Sequence, residues 1–229
     1  MNDTFYTAAA LIIPLVIAIV FHEVAHGWVA RALGDATAFR AGRLTLNPLR
    51  HVDMFGTIIL PGMLALAKAP VFGWAKPVPV NKWRLRNPRF GMMAVAAAGP
   101  ATNFVLAALG AVVLGLMSRV YGATEPGPAA AFAATALNYF ISINIFLAFF
   151  NLLPIPPFDG SHIVEGLLSG NAAQAYARMR PYGFPLVFLL LLVIPWLYPG
   201  ANIVQRLVFP PVEWLQGHYY TLARVVAGL

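Results

Sequence analysis

The chain has 229 residues, 60% of them hydrophobic and only 10% charged, where an ordinary soluble domain is about a quarter charged. Its formal net charge of +7 would suit a nucleic-acid binder, but the cations gather between long apolar runs, as the inner loops of membrane proteins do, and nucleic acid is excluded as a partner. There is no cysteine, which rules out disulfides, thiolate metal sites and a cysteine nucleophile.

The first element runs from Phe5 to Leu33, long enough to span a bilayer at about 20 residues per crossing. It lacks a basic leading region and a persuasive cleavage site, so it reads as a retained transmembrane helix rather than a signal peptide. Residues 35–91 carry nine Lys and Arg against two acids, Asp35 and Asp53. That asymmetry assigns the 34–91 region to the cytoplasmic side. Within it "GRLTLN" alternates like a strand, and "GTIILPGMLAL" (56–66) is too short for a straight crossing and suits a re-entrant hairpin or an interfacial segment. "GWAKPVPVN" (73–81) is held extended by its prolines.

A second span covers 92–117 and contains "GPATN"; a third covers 131–153. The prolines of "NLLPIPPFDG" then break the helix, a short helix resumes over Ile163–Leu168, and a fourth span covers 183–198. Segment 200–229, with "VEWLQGHYYTLARVV", has the Trp, Tyr and His of an interfacial segment. The expected fold is a single α-helical polytopic membrane domain over 1–229. It has about four to six membrane-embedded helices and a small re-entrant or interfacial β region between the first two spans. The charge pattern puts the N-terminus outside and both unusual motifs, at 22–26 and 151–160, toward the cytoplasmic half.

"HEVAH" carries the chemistry. Residues four apart share a helix face, so His22 and His26 can grip one cation, while Glu23, about 100° away, can stand beside the metal and take a proton from water. Ionisable groups at membrane depth are functional by default. A catalytic zinc takes three protein ligands. Between residues 90 and 175 the acids and histidines are Glu125, Asp159, His162 and Glu165. Glu125 lies in the opposite loop; Asp159, at the helix break, is the natural third ligand, and His162 is an alternative ligand or a neighbour that supports one. Ser142, Asn138 and Asn144 suit interhelical hydrogen bonds, and the small residues of "AAAGPA" suit close helix approach.

"HEVAH" in the first span and "NLLPIPPFDG" after a later one resemble the site-2 protease family of intramembrane zinc metalloproteases, peptidase M50. "GPATN" and "GRLTLNPLRHVD…FGWAKPVPVN" look like its compact prokaryotic branch, without PDZ or CBS domains. The resemblance covers about residues 15–165 and implies one catalytic Zn2+ held by His22, His26 and Asp159, with Glu23 as general base. It further implies a single-span membrane-protein substrate and a prokaryotic cell membrane, with the active site toward the cytoplasm. Asn103 resembles a family asparagine that holds substrate and is the first candidate donor for the oxyanion, with His51 a weaker second. Asn151 opens the second motif, either for substrate or to satisfy backbone freed by the break.

An unwound substrate needs new backbone partners, because each freed group in lipid costs several kcal/mol. Pro77 and Pro79 leave Val78 and Val80 as donors on one edge of an extended segment, which could clamp substrate by strand addition; a proline-stiffened loop is the plainer reading. The rival function is a metal- or proton-coupled transporter, which also uses broken helices and buried His and Asp. No internal repeat supports it, and the glutamate directly after the first histidine suits hydrolysis better.

Overall fold

The computed structural model describes residues 3–66, 73–121, 127–198 and 203–229. Hydrocarbon offers backbone groups no partner, and a helix satisfies them segment by segment. The apolar runs accordingly form α1 (Asp3–Ala32), α4 (Pro88–Tyr121), α5 (Pro128–Asn151) and α8 (Arg180–Leu197). All four are long and apolar enough to cross a membrane. Between them lie the one-turn α2 (Thr37–Arg40), the apolar α3 (Met54–Leu66), α6 (Asp159–Leu167) and α7 (Gly170–Ala177). The short α9 (Ile203–Leu207) and the 19-residue α10 (Phe209–Ala227) end the chain.

Helix α4 is the centre of the molecule and packs against α1, α5, α6 and α10. Its inward face carries the buried Gly99, Asn103, Ala107, Gly110 and Ala111, spaced three and four apart, so small side chains let neighbouring helices come close. Its outward face shows Val105, Leu109, Val113 and Leu116, and α1 likewise exposes Leu11, Ile12, Ile13 and Ile17. An outer wall of this kind is suited to lipid rather than water. The core joins Ala107 and Ala111 of α4, Ile141 and Ile145 of α5, and Val208, Val212 and Ala223 at the C-terminal end.

One of three expectations is corrected. First, there is no strand among the described residues, so the small β region is absent. Residues 43–47 and 73–81 form no regular element, and a ladder needs the alternate donors of one edge to be free. Pro77 and Pro79 have none, and the others are dispersed: Lys76 N–H donates to the His51 carbonyl (2.9 Å), Val78 N–H to Glu23 and Asn81 N–H to Asp35. Second, 54–66 is a helix, which suits a re-entrant or an interfacial segment alike; the Asp53 carboxylate caps it by accepting from Gly56 N–H at 2.7 Å. Residues 67–72 lie outside the described residues. Third, α10, expected at the interface, packs along α4 and α5. Its polar groups serve that packing: Tyr219 Oη donates to the Phe104 carbonyl (3.1 Å) and Gln216 Nε2 to Ser142 Oγ (2.9 Å). The short helix expected over 163–168 begins earlier, at Asp159.

Just past the end of α1, Asp35 is fully buried. Its Oδ1 accepts from Thr37 N–H (3.0 Å) and Thr37 Oγ1 (2.5 Å), and its Oδ2 from Asn81 N–H (2.6 Å). Burial pushes this carboxyl's pKa up, but the Thr37 hydroxyl, the Asn81 and Thr37 amides and the Arg84 charge outweigh it and hold the pKa below the ordinary value. A depressed folded pKa contributes stability that is complete above the unfolded value of about 3.9 and is lost as pH falls through the folded one. In unfolding titrations in detergent, the stability advantage of wild type over Asp35→Asn is therefore expected to narrow between pH 6 and pH 3. An advantage of constant size would contradict this account.

Candidate metal centre

The i, i+4 spacing places His22 and His26 on one face of α1, with ring centroids 4.7 Å apart and ring planes at 87°. Asp159 reaches them because α5 ends at the proline-rich break and α6 starts immediately beside that end. Gly160 makes this approach possible: a Cβ there would lie 2.1 Å from the Leu152 carbonyl oxygen. Asp159 Oδ2 lies 3.1 Å from His22 Nε2 and 3.3 Å from His26 Nε2. All three candidate ligand atoms fall within 4.8 Å of one another, and both histidines are buried.

Whether this group suits a metal is decided by its protons. His22 Nδ1 faces Asn103 Oδ1 at 2.5 Å, and His26 Nδ1 faces the Val95 carbonyl at 2.7 Å. Both partners are acceptors, so each ring carries its proton on Nδ1 and turns a lone pair on Nε2 toward the other ring and Asp159. Asp159 Oδ2 is itself buried with no hydrogen-bond partner. With both rings neutral, two nitrogen lone pairs and a carboxylate oxygen converge without a donor and repel one another, and a divalent cation removes that conflict. Three protein ligands of the His and carboxylate type are the composition of a catalytic zinc site.

The back wall of the cradle is Gly99 of "GPATN". A Cβ on it would stand 2.5 Å from His26 Nε2 and 2.6 Å from His22 Nε2. The sequence suggests only that small residues there help helices approach; it does not say that the neighbour is the metal site. The signal was available, since Gly99 sits one turn before Asn103 and on the same face of α4.

The expected oxyanion or substrate donors are placed differently. Asn103 is fully buried, and its amide nitrogen donates to Asn144 Oδ1 (2.7 Å) and to the Ala18 carbonyl (3.3 Å). With its oxygen on His22, it orients a candidate ligand and has no polar atom left over for substrate. Asn144, expected to bond between helices, does so here and in turn donates to the Phe140 carbonyl at 2.8 Å. Asn151 donates from its amide to the Leu147 carbonyl one turn back, at 2.9 Å. Val78 is not a free donor, because its N–H is bonded to Glu23 Oε2 at 2.9 Å. Val80 N–H has no partner among the described residues, and its side chain packs with Ala30, Leu85 and Val95. A strand-addition clamp built on both donors is therefore not available in this arrangement.

His51 is buried and fastens its own loop, with Nε2 at 2.9 Å from the Thr45 carbonyl. His162 is outside the convergent group; it lines a cavity of about 330 Å³ together with Lys82, Arg89, Glu165 and Arg180. Burial, then the Arg180 charge, hold its pKa below the ordinary histidine value.

Comparison with known proteins adds to this geometry. The family model "Peptidase family M50" matches residues 10–128 and 122–194. YwhC of Bacillus subtilis, named as a candidate zinc metalloprotease, is 42% identical over 189 residues, covering 81% of this chain and 80% of its own. Rip2 of Mycolicibacterium smegmatis, named likewise, is 30% identical over 193 residues, 84% of this chain and 67% of its own. The zinc metalloprotease MJ0392 of Methanocaldococcus jannaschii is 24% identical over 223 residues, 91% of this chain and 52% of its own. No solved structure matches the chain. On the extent of the family match and the identity to YwhC, this chain belongs to peptidase family M50.

Proposed function

We propose that this protein is an intramembrane zinc metalloprotease that hydrolyses peptide bonds in or near the transmembrane segments of single-span membrane proteins. The observation that carries this reading is the convergence of His22 Nε2, His26 Nε2 and Asp159 Oδ2 with Glu23 beside them on α1. The names of the relatives, zinc metalloproteases, agree with it.

His22, His26 and Asp159 would hold the ion, with Asn103 and the Val95 carbonyl fixing both ring tautomers. Zinc bound there supplies Lewis acidity, polarising the scissile carbonyl and making water acidic near pH 7. Glu23 takes the proton from the attacking water and returns it to the leaving amine, so that the C–N bond breaks to a carboxylate and an amine. Residues 35–91, rich in Lys and Arg, orient the site toward the cytoplasmic half of a prokaryotic membrane, which gives water a short route in. No observation favours transport.

The test is hydrolysis by the purified chain of a panel of single-span proteins. Cleavage is expected to stop when a chelator strips the metal and to return on adding Zn2+. Metal-free protein that still cleaves would overturn the assignment.

A further inference from the structure

The general base is held from outside its own helix. Glu23 Oε2 accepts the Val78 N–H, which leaves Oε1 to face a proton. The Val78 side chain is buried against Gly27, one turn along α1 from Glu23. On one side of Val78 the segment is fastened at Lys76: its N–H donates to the His51 carbonyl, and its own carbonyl accepts from Arg43 Nη2 at 2.6 Å. On the other side it is fastened at Asn81, whose N–H donates to Asp35 Oδ2. Pro77 and Pro79 fix φ near −65° between the two ties. Residues 76–81 thus form a strap with little slack, and a shift at Asn81 is passed to Val78.

We propose that Asp35 is a positioning residue for Glu23: by anchoring Asn81 it keeps the Val78 amide on one carboxylate oxygen and aims the other at the reacting water. This rests on the reading of Glu23 as general base. The physical need is plain. A glutamate side chain has three rotatable bonds, and proton transfer requires an oxygen within about 2.6–3.2 Å of its target. Asp35 is twelve residues beyond Glu23 in sequence and outside the convergent metal group. Its second oxygen serves Asn81, while the first serves Thr37.

The test uses the full chain in detergent. Exchange of the Val78 amide is followed by NMR on 15N-valine protein, and bound zinc, kcat and KM are measured alongside. Asp35→Ala is expected to speed Val78 exchange at least tenfold and to lower kcat by about tenfold to a hundredfold, the range for a hydrogen bond to a charged group. Zinc content and KM should stay at wild-type values. Asp35→Asn, which keeps one acceptor oxygen for two sets of donors, should fall between Asp35→Ala and wild type in both exchange and kcat. Thr37→Val removes a different bond to Asp35 and should leave both exchange and kcat unchanged. Replacing the Val78 amide by a backbone ester deletes the N–H itself and should reproduce the loss of kcat with Asp35 intact; with Asp35→Asn, it decides the question if Asp35→Ala does not fold.

Wild-type exchange in Asp35→Ala, or wild-type kcat in the ester, would overturn the proposal. Undiminished turnover in Glu23→Gln would instead overturn the general-base reading, with the exchange data still judging the tie between Asp35 and Val78.

Discussion

A Gly99→Ala variant is expected to purify folded and without bound zinc, and to show no peptidase activity. One added methyl carbon would lie 2.5 Å from His26 Nε2 and 2.6 Å from both His22 Cε1 and His22 Nε2, well inside van der Waals contact at about 3.5 Å. Neither ring can simply step back. His22 is held through Nδ1 by Asn103 and His26 by the Val95 carbonyl, so retreat would break a buried hydrogen bond. Misplacement by about 1 Å is enough to cost a hundredfold in catalysis, and here both nitrogen ligands are displaced together. Alanine is the better helix former by about 1 kcal/mol, so α4 itself has no reason to unfold. Metal analysis of the purified variant, with a melting curve in detergent, separates a damaged site from a damaged fold. Stoichiometric zinc with normal turnover would show that the cradle yields freely.

Glu23→Gln is expected to behave in the opposite way, keeping its zinc and losing turnover by about 10²–10⁴-fold, the contribution typical of a positioned general base. The glutamine oxygen can still accept the Val78 N–H, so the strap stays in place and only the ability to take a proton is removed. The three ligands are untouched. Single-turnover cleavage of a single-span substrate, with zinc quantified in the same preparation, makes the measurement. A rate within threefold of wild type would falsify the role given to Glu23.

Much of this was legible in the residues. A cation site in a chain without cysteine has to use histidine and carboxylate, and the spacing in "HEVAH" puts two imidazoles on one helix face whatever surrounds them. The prolines from Pro154 to Pro157 announce that the third span ends where Asp159 begins. Apolar runs of sufficient length declare the four crossing helices. What could not be read depends on which neighbour a side chain meets. Asn103 lies on a helix, and nothing local says whether its amide faces a substrate or another helix; packing of α4 between α1 and α5 decides it. The alternation in "GRLTLN" is real, yet a strand needs a partner whose alternate donors are free, and here Lys76 N–H is spent on the His51 carbonyl and Val78 N–H on Glu23. The mixed composition of α10 does not say which of its residues turn inward; Val212 and Ala223 are buried against the central helices.

The chain of contacts from His22 through Asn103 to Asn144 links α1, α4 and α5 at one level of the bundle. Prying those three helices apart would strand several polar groups in oil, at about 1–3 kcal/mol each. They form the stator of the machine. Separation costs less where rings alone meet, as Trp74 does with Phe184 of α8, edge-on at 4.9 Å, while the head of that helix stays moored by the pairing of Arg180 with Glu165 of α6.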